Sequence, residues 1–332
     1  MIIAQISDTH IALDSPDADE RIRDFELTIS DINVLDPAPD VIVHTGDIVH
    51  NGRQDEYGQA VATLAKARAP VYVLAGNKDS RVNLREAFCR NLALHAEFVE
   101  YAIDDYPVRL IALDTLSSRS NKGDFCPEQV KHLIEMVDSE ITKPIAVFTH
   151  HPPFEVTVGP DPLHFETPEV MSTLCRALQR SGRVVGIFSG HGHRAAGGVG
   201  SIPAMVMQCV ATTLRKGNYP AQMKMRPVYH VHRFEGVRSC AASRDFGEPG
   251  VHLAPAIASE PCPAAVVSRV AAVRISEAPT ETAVSTASEP PRGAGGRSGV
   301  IEISLGGGRR VRVDASVDAA ALARVLDVLE RR

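Results

Sequence analysis

The sequence predicts an α/β fold with a layered, mixed sheet, followed by a flexible linker and a small C-terminal hairpin plus helix. Three observations carry that expectation. Short, nearly continuous apolar runs recur through residues 1–240, each ending in a polar or glycine-containing turn, as strands buried in a sheet do. Helical patterns lie between the runs. Near residue 240 the composition shifts to Ala, Pro, Ser, Thr and Gly with little periodicity, which marks a linker.

In chain order, strands are expected at residues 2–6, 41–43, 71–74, 145–148 and 184–188. Residues 55–67 read as a helix. Residues 128–137 read as another, with Pro127 in its first turn and Val130, Leu133, Ile134 and Val137 along one face. Residues 101–114 read as a hairpin with Asp104 and Asp105 near its turn. After the linker, residues 300–305 and 310–313 flank Gly306, Gly307 and Gly308 as a second hairpin. A last helix begins near Asp318, with Leu322, Val325, Leu326 and Leu329 on one stripe. The expected division is therefore an α/β domain at 1–240, a Pro/Ala/Ser-rich linker at 241–298 and a small hairpin-helix at 299–332.

The 332 residues suffice for a sizeable core, and the 44% hydrophobic and 23% charged shares are those of a globular protein. A formal net charge of -6 argues against a general nucleic-acid binder, which needs a basic footprint. No apolar run approaches the roughly 18 residues of a membrane helix. Residues 2–6 lack a basic leader, so no signal peptide is expected and the cytoplasm is the default location. Cys89, Cys126, Cys175, Cys209, Cys240 and Cys262 form no Cys-x-x-Cys pair and read as reduced thiols.

Five polar clusters follow apolar strands: Asp8-Thr9-His10, Gly46-Asp47, Gly76-Asn77-Lys78-Asp79, His150-His151 and Gly190-His191-Gly192-His193. Any one of them is more often a turn or a surface pair than a site. Together they place carboxylates, an amide and four imidazoles at one end of successive strands, where ligands of open α/β sheets gather. Mixed oxygen and imidazole donors without thiolate suit Mn, Fe, Zn or Co. One carboxylate can bridge two ions that together hold a phosphoryl group and activate a water. The glycines at 46, 76, 190 and 192 are expected to let the backbone turn sharply beside the donors.

These residues, with the runs Ile6-Ser7-Asp8-Thr9-His10, Gly46-Asp47-Ile48-Val49, Asn51-Gly52-Arg53, Glu56-Tyr57 and His150-His151-Pro152-Pro153, resemble the calcineurin-like metallophosphoesterases. The likeness covers about residues 1–235. Within the family it is nearest to the class III cyclic-nucleotide phosphodiesterases and bacterial glycerophosphodiesterases. It implies a four-layer αββα sandwich holding two divalent metal ions. Asp8, His10, Asp47 and His193 would hold one ion; Asp47 would bridge, and Asn77, His150 and His191 would complete the second. It further implies metal-activated hydroxide attack on a small phosphodiester, such as cyclic AMP or a glycerophosphodiester. Asp47, Asn77 and Lys78 are the expected catalytic residues, and Asn77, Lys78 and His193 the expected substrate contacts.

One departure stands out. The family pattern has histidine after the metal-binding Asn, where this chain has Lys78. Lysine ordinarily titrates near 10.4, so it is a weak acid at neutral pH but a lasting charge. Lys78 is expected to clamp a phosphate oxygen or the leaving oxygen; the bland alternative is a solvated side chain. His44, His95 and His132 read as core or surface residues, and His151 as support for its neighbour on the opposite face. His50 could face substrate. His230 and His232 share one face of a late strand and could reach the rim. Arg215, Lys216 and Tyr219 read as a solvated loop. Loops 117–124 and 154–165 are expected to shape the pocket.

Residues 301–303, 308–313 and 317–322 resemble the tail of an insertion-element accessory protein, which implies no part in the chemistry. Competing functions are a monoesterase or nuclease on the same metals, or a non-catalytic metal-binding scaffold. Whether the chain forms a homo-oligomer is left open.

Overall fold

The computed structural model describes residues 1–89, 92, 94–156, 162–198, 202–217 and 225–234, together with strands at 268–274, 300–305 and 309–314. The chain divides into two units, Met1–Ala278 and Pro279–Arg332.

The first unit opens with an alternation of strands and helices: β1 (Ile2–Ile6), α1 (Ala18–Ile32), β2 (Val41–His44), α2 (Gln54–Leu64), β3 (Val71–Val73) and α3 (Arg81–Phe88). The second series runs β4 (Tyr101–Ile103), β5 (Arg109–Ala112), α4 (Pro127–Ser139), β6 (Ile145–Phe148), α5 (Pro168–Gln179), β7 (Val184–Ser189), β8 (Ala196–Gly198) and β9 (Ala204–Val206). A 3₁₀ turn at Thr212–Leu214 leads to β10 (Val228–Phe234). Local chemistry sets several starts. Pro127 opens α4, where the Gln129 side chain accepts the Cys126 N–H at 3.1 Å. Thr167 caps α5 by accepting the Val170 N–H at 3.3 Å, just before Pro168.

Two sheets result. One has the order β11-β10-β1-β2-β3, where β11 is Ser268–Arg274; the other has the order β4-β5-β6-β7-β9-β8. Strands β1, β2 and β3 are parallel, as are β5, β6, β7 and β9; β10 runs antiparallel beside β1. The sheets face each other across a buried core. Phe188 of β7 stacks 4.1 Å from the His232 ring of β10, and the Tyr101 hydroxyl of β4 donates to Val73 O of β3 at 2.6 Å. Strand alternation sorts β6: Ala146 and Phe148 join this central core, while Ile145 and Val147 pack outward with Leu133 and Val137 of α4 and Leu174 and Leu178 of α5. Phe25, Ile29 and Ile32 of α1 and Tyr57, Ala60 and Leu64 of α2 join the core from the first sheet's side. The expected two-sheet α/β fold with flanking helices is the one observed.

The expected strands and the hairpin at 101–114 are all present, the helix expected at 55–67 ends at Leu64, and α1, α3 and α5 complete the helical layers. The stretch expected to be linker supplies β11, which pairs antiparallel with β10 along its whole length. Its run Val270-Ala271-Ala272-Val273 suits a strand once an edge is offered. In the second unit, β12 (Val300–Leu305) and β13 (Arg309–Asp314) pair as the expected hairpin. The helix expected near Asp318, and the rest of the Pro/Ala/Ser-rich segment, lie outside the described residues. Among those described, no helix is long and apolar enough to cross a membrane. Cys89, Cys126, Cys175 and Cys209 are free thiols, as expected; Cys240 and Cys262 lie outside the described residues.

Candidate metal centre

All seven expected donors lie just beyond the carboxyl ends of parallel strands. Asp8 and His10 follow β1, Asp47 follows β2, Asn77 follows β3, His150 follows β6, and His191 and His193 follow β7. Asp8, His10, Asp47, His191 and His193 all have positive φ, between 46° and 67°, and are the only such non-glycine residues among those described. L-residues avoid this region, so surrounding bonds must hold it. The His10 N–H donates to Asp47 O at 3.0 Å, and the Asp8 N–H to Gly46 O at 3.0 Å, tying the first two loops together.

Asp8, His10, Asp47 and His193 bring one donor atom each within 4.8 Å of one another. The Asp8 carboxylate is fully buried and divided in its duties. Its Oδ2 accepts from the Ser7 hydroxyl at 2.6 Å and the His191 N–H at 3.0 Å. Its Oδ1 has no hydrogen-bond partner, although His193 Nε2 lies 3.3 Å away. His10 Nε2 and His193 Nε2 are 3.0 Å apart, and His193 is oriented from behind by its Nδ1 contact with Leu214 O at 3.0 Å.

A second set converges nearby. Asn77 Oδ1 lies 3.0 Å from His150 Nε2 and 2.8 Å from His191 Nδ1, and His150 Nδ1 is held by Thr45 O at 2.8 Å. Asp47 stands between the sets: Oδ2 is 3.5 Å from His10 Nε2, and Oδ1 is 3.5 Å from His150 Nε2. His151 also brings a nitrogen close to His150 and His191. Both its ring nitrogens are occupied, however, by Thr115 Oγ1 at 2.9 Å and Asn121 O at 3.1 Å. The structure thus places His151 among the donors rather than on an opposite face, in a supporting position.

The donor chemistry fits divalent cations. A buried carboxylate oxygen without a partner is costly unless a cation or donor faces it. Clustered imidazoles and carboxylates without thiolate are the set that Mn, Fe, Zn or Co accept. Protonation behaviour agrees with strong mutual coupling. Burial works against charge on Asp47, yet His150 and His10 hold its carboxyl well below the ordinary range. Burial likewise opposes charge on His150, but Asp47 lifts it to about 9, whereas burial takes His10 down to about 4. Asp8, His150 and His193 are also tied to Ser7 and the His191 N–H, to Thr45 O and to Leu214 O, so moving any of the three would break bonds that run behind the site.

Two features hold the loops in place. A Cβ on Gly190 would overlap Ser7 Oγ and lie 2.6 Å from Asp8 Oδ2, and one on Gly76 would overlap Asp47, so both positions require close backbone approach. Gly192 has ordinary space, with 3.4 Å to its nearest neighbour, so the expected crowding does not extend there. Asp79 accepts from the Ile48, Val49 and Gly76 N–H groups at 3.2, 3.3 and 2.9 Å and from the Tyr57 hydroxyl at 2.9 Å. It therefore clamps the Asp47 loop to the Asn77 loop; burial, then the Asp47 charge, raise its carboxyl to about 7.

Of the donors, His10, Asp47, Asn77, His191 and His193 open onto a cleft of about 480 Å³ that Lys78 and His50 also line, while Asp8 and His150 lie buried behind it. Lys78 is half-buried and lines this cleft, and its backbone N–H donates to Asp47 Oδ1 at 2.7 Å. The loops expected to shape the pocket contribute Asn121, Val156 and His164, and Lys216 reaches the cleft despite its reading as solvated loop. Arg194 and His164 were not anticipated individually; adjacency to His193 was the available signal for Arg194. His44 is core, bonded to Thr9 Oγ1 at 2.9 Å, and His132 meets Glu100 at 2.6 Å. The rim position considered for His230 and His232 is corrected. Both are buried between the sheets, against Gln208 and Gln5 at 3.0 and 2.9 Å. Tyr219 lies outside the described residues.

Fold and donor set define the class, a metallohydrolase with its site at the strand ends of a two-sheet sandwich. Residues 1–195 match the calcineurin-like phosphoesterase family, and the chain belongs to it. It is a metal-dependent phosphoester hydrolase. Among similar proteins are a probable glycerophosphodiester phosphodiesterase, GpdQ, of Arcobacter nitrofigilis, 29% identical over 201 residues, 59% of this chain and 73% of the relative. A glycerophosphodiester phosphodiesterase, GpdQ, of Enterobacter lignolyticus is 32% identical over 208 residues, 58% of this chain and 71% of the relative. The 3',5'-cyclic adenosine monophosphate phosphodiesterase CpdA of Pseudomonas aeruginosa is 24% identical over 180 residues, 52% of this chain and 64% of the relative. Among solved structures, a dimetal phosphatase from Danio rerio shares the fold at TM-score 0.55 and 14% identity, covering 70% of this chain and 92% of its own.

Proposed function

We propose that this chain hydrolyses small phosphodiesters with two divalent cations. Asp8, His10, Asp47 and His193 would hold one, and Asp47, Asn77, His150 and His191 the other. The position of Asp47 carries the reading: its carboxylate stands between the two donor sets, 3.5 Å from His10 on one side and 3.5 Å from His150 on the other, where it could bridge two cations. Bound there, the cations would neutralise charge on the phosphoryl oxygens and activate a water.

The chain's own residues supply the rest. Asn77 turns its Oδ1 to the donors and its Nδ2 to Asn121 Oδ1 at 3.3 Å, so the amide is held in one orientation beside the cleft. Lys78, anchored through its backbone to Asp47, brings a cation to the cleft wall beside the donors. That position suits a clamp on a non-bridging or leaving oxygen. His193 lines the same cleft and is kept in register by Leu214 O. The relatives named as glycerophosphodiester and cyclic-nucleotide phosphodiesterases support a diester over a monoester. The donor set admits Mn, Fe, Zn or Co, and availability selects among them.

The test is chelator-treated protein given single metals and assayed on bis(p-nitrophenyl) phosphate, p-nitrophenyl phosphate, a glycerophosphodiester and cyclic AMP. Metal-restored turnover that favours the diester over the monoester is expected. Metal uptake without hydrolysis of any diester would instead make the chain a binding scaffold.

A further inference from the structure

Beyond the donor sets, the cleft is one-sidedly cationic. Lys78, Arg194 and Lys216 line it, and Asp47 is its one acid among the described residues. Among those residues, none of the three cations pairs with a carboxylate. Arg194 is half-buried and Lys216 exposed.

The three cations fall in two places. Lys78 follows Asn77 and is tied to Asp47 Oδ1, beside the reacting phosphate in the diesterase reading. Arg194 follows His193, and the Lys216 N–H donates to His193 O at 3.0 Å, so these two flank the same histidine. They are thus a second patch of positive charge on the His193 side. The volume of about 480 Å³ leaves room beyond one phosphate for the alcohol it esterifies. A cationic alcohol such as choline would need a carboxylate or an aromatic face. Among the described residues the cleft offers no Phe, Tyr or Trp, and its one acid belongs to the donor sets.

We propose that Arg194 and Lys216 form a subsite for a second anionic group. The preferred substrate is then a phosphodiester whose alcohol carries its own phosphate or carboxylate. This rests on the diesterase reading, and deepens it by naming the substrate class. Recognition is by charge, with Val156 and Leu214 giving apolar contact along the way.

The experiment compares glycerophosphoinositol with its ring-phosphorylated derivative, which differ only in the added anion. Metal-loaded protein should show kcat/KM roughly tenfold higher for the phosphorylated diester, a gap that narrows as salt rises. In the double variant Arg194→Gln, Lys216→Gln the ratio should fall to near one. Equal kcat/KM in the unaltered protein, or a ratio that survives the double variant, would overturn the subsite while leaving the diesterase reading intact. Calorimetric binding of inositol monophosphate against inositol bisphosphate gives a second readout. Tighter bisphosphate binding that the double variant abolishes supports the subsite even if no diester is cleaved, in which case the diesterase reading alone fails. Equal binding of the two probes counts against the subsite.

Discussion

Asp8, His10, Asp47, His191 and His193 are held in left-handed backbone, at about 1–3 kcal/mol each where no glycine relieves it. Such strain persists only where the surroundings enforce it, and here the enforcing bonds are specific. Asp79→Asn would turn an NH₂ group toward backbone donors that now meet a carboxylate. A loss of about 1–3 kcal/mol in urea unfolding is expected, with weaker metal retention on dialysis. Gly190→Ala would drive a methyl against Ser7 and Asp8, and metal content after purification should fall even where the fold survives. For Lys78→Ala, an electrostatic clamp predicts a similar loss, roughly tenfold or more, on an alkyl diester and a nitrophenyl diester. A loss confined to the alkyl diester would assign Lys78 to leaving-group protonation instead. The seven donors were legible because each sits in a short motif after a strand. The strain, the Asp79 clamp and the spent nitrogens of His151 were not, because φ angles and bonds from distant loops have no local signature.

At the scale of elements, β10 joins the first sheet antiparallel and puts His230 and His232 between the two sheets. Burial holds His230 down at about 4 and His232 well below its ordinary value. The Nδ1 atom of each is buried without a partner, so a proton arriving there would meet no acceptor. Because the folded values lie below the unfolded value near 6.5, the unfolded chain takes up more protons as pH falls. Stability from these groups is therefore complete above pH 6.5 and lost on the way toward pH 4. His230→Gln keeps a donor for Gln208 but cannot titrate, so its melting temperature should fall less steeply between pH 7 and pH 4. A slope equal to that of the unaltered chain would show that His230 is already charged or exposed. The strands themselves were readable from their apolar runs. The interior address of these two histidines was not, since alternation shows that residues share a face and not which face is covered. Strand β11 escaped for a related reason: a linker-like composition conceals a run that needs an existing edge to pair with.

For the whole molecule, the donors all come from the first unit, which ends at Ala278, and the second unit holds the β12–β13 hairpin. A chain ending at residue 278 is expected to keep its metal content, and its diester kcat/KM within about threefold, since domains carry their own cores. The sequence resemblance reached the two-sheet architecture because it spanned ligands from both sheets, while local patterns alone gave only a mixed α/β arrangement. Substrate choice stayed illegible because the cleft wall beyond the donors is built from Asn121, Val156, His164, Arg194 and Lys216, which come together only in the folded protein. The proposed chemistry depends on two donor sets sharing Asp47. Manganese titrated into chelated protein and followed by electron paramagnetic resonance tests this most directly. Two bound ions per chain with the signature of a magnetically coupled pair, lost in Asp47→Asn, is the predicted result. A single isolated ion, or coupling unchanged by that substitution, would contradict it.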